Sequence, residues 1–461
     1  MVAWIRSASV HFGRSAVRYG GTPLGTTRRE LVVSTDSVTA IAALDDFTDR
    51  LAGIRLGVEE VLTATTAEPD VASLQLASAM LFLYGQTAAT TVSAAGFLDR
   101  ARALAPGMNE RERSTLAALE GWSRDDYLAT AVLLEHHVAT WPRDLLALKA
   151  LEFLYYVMGQ QHMGARFLAQ VEAIAEPNRE DADFLAAWAF AAELSGAPDR
   201  AEELAEASIA IEPHTPWAHH ALAHAYITRG DPPEAVARLE SFLPVWETSG
   251  QFIHAHNAWH LAVALLDGLA FERSRAVYDE HIWGFLPDTP GEQIDAIAYL
   301  WRLEMAGEEV DDARWAAIAD HVEQRVDECF FPFLSAHHAY ALARAGRDDA
   351  LATLLASVEQ RTASGTAEAV RVWQPTGSAV VQACAAHGCG DLRRAAELLD
   401  PVAVRITEIG GSDAQDDLFR LAYFTALVGA GRGGDAAAYF DAVTAFKTRS
   451  PFDERLRVTA S

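Results

Sequence analysis

With 461 residues, half of them apolar and 22% charged, the chain holds enough material for a large packed core, which excludes a mostly disordered protein. Its 64 acidic against 37 basic side chains leave a formal charge of −27, a field that repels phosphate backbones and anionic headgroups and so argues against nucleic acid and membrane surfaces as partners. Three cysteines, Cys329, Cys384 and Cys389, form no even-numbered framework, and no apolar run nears the ~20 residues of a spanning helix, so free thiols in a cytoplasmic protein are expected.

The first 29 residues carry five arginines and no acid. Gly13, Gly20, Gly21, Pro23 and Gly25 would break an amphipathic helix there, so residues 1–30 are expected to be a disordered basic arm rather than a transit segment. Beyond it Pro106, Pro142, Pro177 and Pro213 stand 36, 35 and 36 residues apart, a period the size of a helical hairpin. Helical spacing is plain in Leu185, Trp188, Ala189 and Ala192, and strand signals are nearly absent. Within each unit a glycine stops one helix and an Asp or Pro starts the next, as at Gly159, Gly196 in SGAPDRAEEL and Gly230 in RGDPPEAVARL. Looser breaks follow at Gly268, Gly307, Gly346, Gly390 and Gly431. The expected architecture is an all-α solenoid over residues 31–445, followed by a tail at 446–461.

The units resemble the tetratricopeptide repeat. In AHHALAHAYITRGDPPEAVARLESF the matching positions are Leu222, Ala223, Tyr226, Gly230, Ala235, Leu239 and Phe242; in FLAAWAFAAELSGAPDRAEELAEASIAIEP they are Leu185, Ala189, Gly196, Ala201 and Pro213. Small residues let the two helices of a pair approach closely, while Tyr and Leu fill the gaps between units. The resemblance implies a right-handed superhelix with a concave groove. Over residues 31–461 the chain also resembles the tetratricopeptide repeat protein 38 family, through PRDLLALKALEFLYYVMG, the two histidine-bearing helices, HNAWHLA, VYDEHI, YLWRLEMAG, VRITEIGGSDAQDDLF and SPFDERL. That resemblance implies a superhelical fold and a soluble, cytosolic setting, and supplies no reaction. The chain departs from the family pattern at Glu152 and Phe153, where relatives tend to show His-Asp, and at Ile227, where they show Glu. Leu334 and Ser335 replace an Asn-Asp pair, and Asp416 stands where Arg is usual.

Two stretches carry the candidate chemistry. HHALAHAY places His220 and His224 four residues apart, and HAHNAWHL repeats the spacing with His256 and His260 after a shift of 36. Residues four apart share a helix face. If both pairs look into the groove from neighbouring units, they can converge on a divalent transition metal, to which neutral imidazole binds at roughly 2.0–2.1 Å. Glu193, at the groove end of the preceding first helix, is the candidate carboxylate ligand or base. The alternative makes the same side chains packing and contact groups: Trp217, His220, His224, His256, Asn257, Trp259, His260, Arg302 and His337 would line a groove for a basic or extended peptide. Arg302, set in an apolar helix, is expected to have an acidic partner.

Two further motifs read as structural. CAAHGCGD offers Cys384, His387 and Cys389 but lacks a partner pair for a zinc site. In EIGGSDAQDDLF, Gly410 and Gly411 allow a tight turn, Ser412 caps a helix and acids suit its first turn; Asp413, Asp416 and Asp417 disfavour an anion there. Neither a P-loop nor H-E-x-x-H is present. Two functions follow as alternatives: a protein- or peptide-binding scaffold, or a metal-dependent enzyme acting on a small molecule through the paired histidines, with Glu193 assisting.

Overall fold

The computed structural model describes residues 24–363, 371–445 and 447–460; of the arm expected over residues 1–30, residues 1–23 lie outside them. The described chain is all-α apart from one short antiparallel pair, Gly25–Thr26 with Val32–Val33. Helical hairpins follow one another along the sequence. The first helix of each later unit is Leu145–Val157, Ala182–Leu194, Pro216–Arg229, Gln251–Asp267, Pro290–Met305, Pro332–Arg344, Ser378–Gly388 and Asp413–Gly429. Several of these first helices are buried nearly all round: Ala182–Leu194 hides twelve of its thirteen residues, whereas its partner Pro198–Ile211 buries only Ala201, Leu204, Ala205 and Ser208. The difference is written in composition, Ala and Leu on every side of one and a charged outer face on the other.

The turn at Gly230 shows how a hairpin is made. Gly230 takes φ 71° and ψ 33°, and its N–H reaches back to the carbonyls of Tyr226 and Ile227. A side chain there would be strained by the left-handed φ and would also strike the Thr448 carbonyl. Asp231 then caps the next helix by accepting from the Glu234 N–H, with Pro232 in its first turn. One unit on, where Gly268 and Leu269 compete for the break, Leu269 is the residue with positive φ, 60°.

The array winds until late units meet early ones. The loop Ile409–Gly411 is held from two sides: Gly411 N–H donates to the Tyr156 carbonyl at 2.9 Å, Gln160 N–H to the Gly411 carbonyl at 2.8 Å, and Phe333 N–H to the Ile409 carbonyl at 3.1 Å. Gly410 and Gly411 have φ of 110° and 95°, and a Cβ on either would press into the ring of Phe331 or Phe333 within 2.6 Å. From this loop the helix Asp413–Gly429 runs against the inner helices, and its Arg420 donates to Gln161 Oε1 at 2.6 Å. Near the other end Arg55 makes a fork to Asp183 at 2.9 Å, and the Gly250 N–H donates to the Ile54 carbonyl. The solenoid therefore encloses a hollow.

Parts of the two stretches expected outside the solenoid are packed against it. Arg29, inside the expected arm, pairs with Asp49 at 2.6 Å and Asp181 at 2.9 Å. The segment expected as a tail contains the helix Pro451–Val458, started by a reciprocal cap between Ser450 and Asp453 and anchored by buried Phe452 and Leu456.

Candidate functional site

Helices Pro216–Arg229 and Gln251–Asp267 are neighbouring first helices, and their four histidines meet. His220 Nε2 lies 3.2 Å from His256 Nε2 and 3.2 Å from His224 Nε2. The His260 ring centroid is 4.9 Å from those of His220 and His256 and 4.6 Å from that of His224. Ligand-capable atoms of His220, His256 and His260 all fall within 4.8 Å of one another. None of the rings lies in an open groove, since the exposures of His220, His224, His256 and His260 are 2, 1, 7 and 0%. The winding of the array places the chain's own helix Asp413–Gly429 beside this face, where Asp413 meets His224.

That helix supplies a partner. His224 Nδ1 donates to Asp413 Oδ1 at 2.7 Å, and His256 Nδ1 donates to Asp295 at 2.9 Å. Each carboxylate fixes the tautomer of its ring, leaving the lone pair of Nε2 directed at the centre of the cluster. Aromatic walls hold the rings in place: Trp217 stacks on His220 at 4.2 Å, Phe190 meets the edges of His220 and His224, and Trp259 stands against His256 and His260. Burial, and then the neighbouring imidazoles, push His220 and His260 well below the ordinary histidine pKa, so both rings are neutral.

Glu193 sits on the far side of His224, its Oε2 3.6 Å from Nδ1, and accepts from the Thr228 hydroxyl at 2.9 Å. Burial and the nearby Asp413 hold Glu193 well above the usual carboxylate range. Burial would raise Asp413 too, but His224 and the Ala414 N–H outweigh it and leave the carboxyl below its ordinary value. The two acids are thus shifted in opposite directions.

Beside the cluster lies a cavity of about 300 Å³. Its walls are largely apolar, from Leu51, Ile54, Phe153, Phe252, Pro290 and Ile294, and His220, His256 and Asp295 form part of its lining. Lys149 pairs with Glu152 at 2.7 Å and covers the Trp217 ring at 4.1 Å. Burial raises the Glu152 pKa against the pull of Lys149, and burial with the Glu152 charge raises Tyr84 well above its usual value. The Tyr84 hydroxyl and Gln86 Oε1, both on the lining, have no hydrogen-bond partner in the protein, and Trp217 is turned to Glu152, whose pKa it lowers. Glu152, Phe153 and Leu334 also line this cavity.

The other expected groove residues take different places. Asn257 donates to the Pro216 carbonyl at 3.0 Å, tying the two histidine helices together. Arg302 was expected to pair with an acid; instead it donates to the carbonyls of Ala298 and Ala414 and lies over Trp259 at 5.3 Å, with burial lowering its pKa against the pull of Asp417, Asp267 and Asp295. His337 donates to the Phe333 carbonyl at 2.8 Å and packs against Phe419; burial brings its pKa down to about 3. In CAAHGCGD the thiol of Cys384 is buried and that of Cys389 exposed, while His387 bonds Thr425.

Residues 192–244 match the family model of the tetratricopeptide repeat. The match spans the turn at Gly196, the whole of Pro216–Arg229 and the following Pro232–Glu240, so the helix bearing His220 and His224 is the first helix of a tetratricopeptide hairpin. Among solved structures the chain is similar to that of Naa15/Naa10 bound to HypK-THB, at 13% identity with a TM-score of 0.24. The alignment covers 92% of this chain and 64% of that one, so this chain spans less than two thirds of that neighbour's length. Tetratricopeptide arrays are widely used as protein-interaction scaffolds. Among the described residues no helix is long and apolar enough to cross a membrane.

Sequence reading missed Asp295 and Asp413 as partners of the histidines. Asp295 had a usable signal, since it follows His256 by about one repeat, as His256 follows His220. Asp413 was legible only as an acid in a first helical turn; its reach to His224 spans 189 residues of chain.

Proposed function

We propose that this tetratricopeptide repeat protein, of the kind seen in the protein 38 family, captures a small amphipathic molecule in its enclosed hollow. The observation that supports this reading is the cavity of about 300 Å³, whose walls are largely apolar while the Tyr84 hydroxyl and Gln86 Oε1 on its lining stand buried without protein partners. Apolar walls with a few convergent polar groups suit a ligand that has a greasy body and one or two hydrogen-bonding ends. An extended peptide across the histidines would have to displace the hydrogen bond of Asp413 to His224.

The test uses 1-anilinonaphthalene-8-sulfonate, an apolar body with a polar end, as the probe. Saturable one-to-one fluorescence enhancement is expected with the full chain. Ile294→Trp, which places an indole in the cavity, should abolish it while helicity and melting temperature are kept. Absence of a saturable site, or full binding by the folded variant, would overturn the reading.

The tetratricopeptide match supports a second reading, a protein partner carried on the scaffold. With −27 formal charge, a basic partner surface is the complementary one, and its association would weaken with salt. A cytoplasmic setting suits both readings.

A further inference from the structure

Protons and lone pairs do not balance in the histidine cluster. His224 and His256 each give their Nδ1 proton to a carboxylate, so both Nε2 atoms are acceptors. Both face the single Nε2 of His220 at 3.2 Å, which can offer one proton to only one of them. His260, fully buried, has no partner at either nitrogen, and His220 Nδ1 has none. Leaving so many buried nitrogens unsatisfied is costly. A cation at the centre would take the lone pairs of the three Nε2 atoms and one nitrogen of His260 together.

The spacing fits that role. Two nitrogens bound at 2.0–2.1 Å to a tetrahedral ion stand about 3.3–3.4 Å apart, close to the 3.2 Å of both pairs that share His220. The surrounding carboxylates are placed as outer partners of metal-bound imidazoles are, each on the ring nitrogen that faces away from the centre.

We propose that His220, His224, His256 and His260 bind one divalent transition metal, oriented by Asp295 behind His256 and by Asp413 behind His224. An all-imidazole set selects borderline ions such as zinc, cobalt, nickel or copper over magnesium and calcium, which demand oxygen ligands. The site joins two consecutive repeat units and, through Asp413, the helix Asp413–Gly429. Its inner wall, His220 with His256, is the end of the cavity. The inference goes beyond the pocket reading and does not rest on it, since all of the proposed ligands are side chains of the chain itself.

The test loads the full chain, stripped by chelator, with Zn²⁺ or Co²⁺ alone. One equivalent per chain is expected by elemental analysis, Co²⁺ should show the intense visible bands of a tetrahedral site, and loading should raise the melting temperature. Asp295→Asn keeps all four ligands and should weaken metal binding about 10–100-fold. His260→Ala should lose stoichiometric uptake, whereas His337→Ala, a buried histidine held elsewhere, should keep it. Wild type that takes up no stoichiometric metal, a Co²⁺ spectrum of an octahedral ion, or undiminished affinity in both folded Asp295→Asn and His260→Ala would overturn the proposal. The dye titration is read on the stripped chain, so a failed pocket and a failed metal site are told apart.

Discussion

Replacing Gly411 by alanine should loosen the closure of the solenoid, and the size of the effect can be worked from the loop. Gly411 has φ 95°, and a Cβ there would sit 2.5 Å from Cε2 and 2.8 Å from Cδ2 of Phe333, a ring that is itself fully buried. A left-handed backbone costs an L-residue about 1–2 kcal/mol, and forcing a methyl into a packed site costs about 1–3 kcal/mol more. The sum is a destabilisation of about 2–5 kcal/mol. Gly434 is the internal control: it lies in the helix Gly433–Val443, and a Cβ there would meet nothing within 4 Å. Gly434→Ala should therefore be neutral or stabilise by up to about 1 kcal/mol, since alanine stiffens the unfolded chain and favours helix. Urea unfolding followed by tryptophan fluorescence measures both, with the midpoint falling for Gly411→Ala and holding or rising for Gly434→Ala. Equal midpoints for the two variants would refute the reasoning that the loop Ile409–Gly411 is pinned by close contact.

Two further outcomes are expected. Asp416 is fully buried with both oxygens lacking a partner, and burial holds its pKa well above the ordinary value. An acid raised in the folded state weakens folding once pH exceeds its unfolded pKa, by about 1.4 kcal/mol per pH unit until the folded pKa is reached; the stability gained by Asp416→Asn should thus widen between pH 5 and 7, and a pH-independent difference in melting temperature would contradict this. Of the three thiols, Cys389 is exposed, Cys329 half-buried with its pKa pushed up to about 11 by burial, and Cys384 buried. A chromogenic disulfide reagent should therefore react quickly with one thiol per native chain and with three after denaturation, and rapid loss of two in a Cys389→Ser variant would contradict the packing.

The repeat architecture was legible because it is encoded locally: a glycine, an Asp or Pro, and alanines at the crossing are all within one hairpin, as in RGDPPEAVARL. The convergence of the histidines was legible for the same reason, a spacing of four within a helix and of 36 between equivalent helices. What the sequence did not disclose is the winding. The meeting of Ile409–Gly411 with Tyr156 and Phe333, and of Asp413 with His224, depends on small rotations accumulated over many units, which no local pattern records. Arg302 was likewise assigned an acid, when it donates to a carbonyl of its own helix and to that of Ala414, which only the late helix brings near.

The helix Asp413–Gly429 is made last of the elements around the hollow, and this has a bearing on synthesis. Until it leaves the ribosome, the inner faces of the repeats that carry His220, His256 and Arg302 lack the surface they pack against, so the nascent array would expose apolar and unpaired polar groups for the time needed to translate well over a hundred residues. Quality-control factors that recognise such surfaces would see an unfinished molecule until the final turns arrive, and a premature stop just before Gly410 would leave it permanently in that condition.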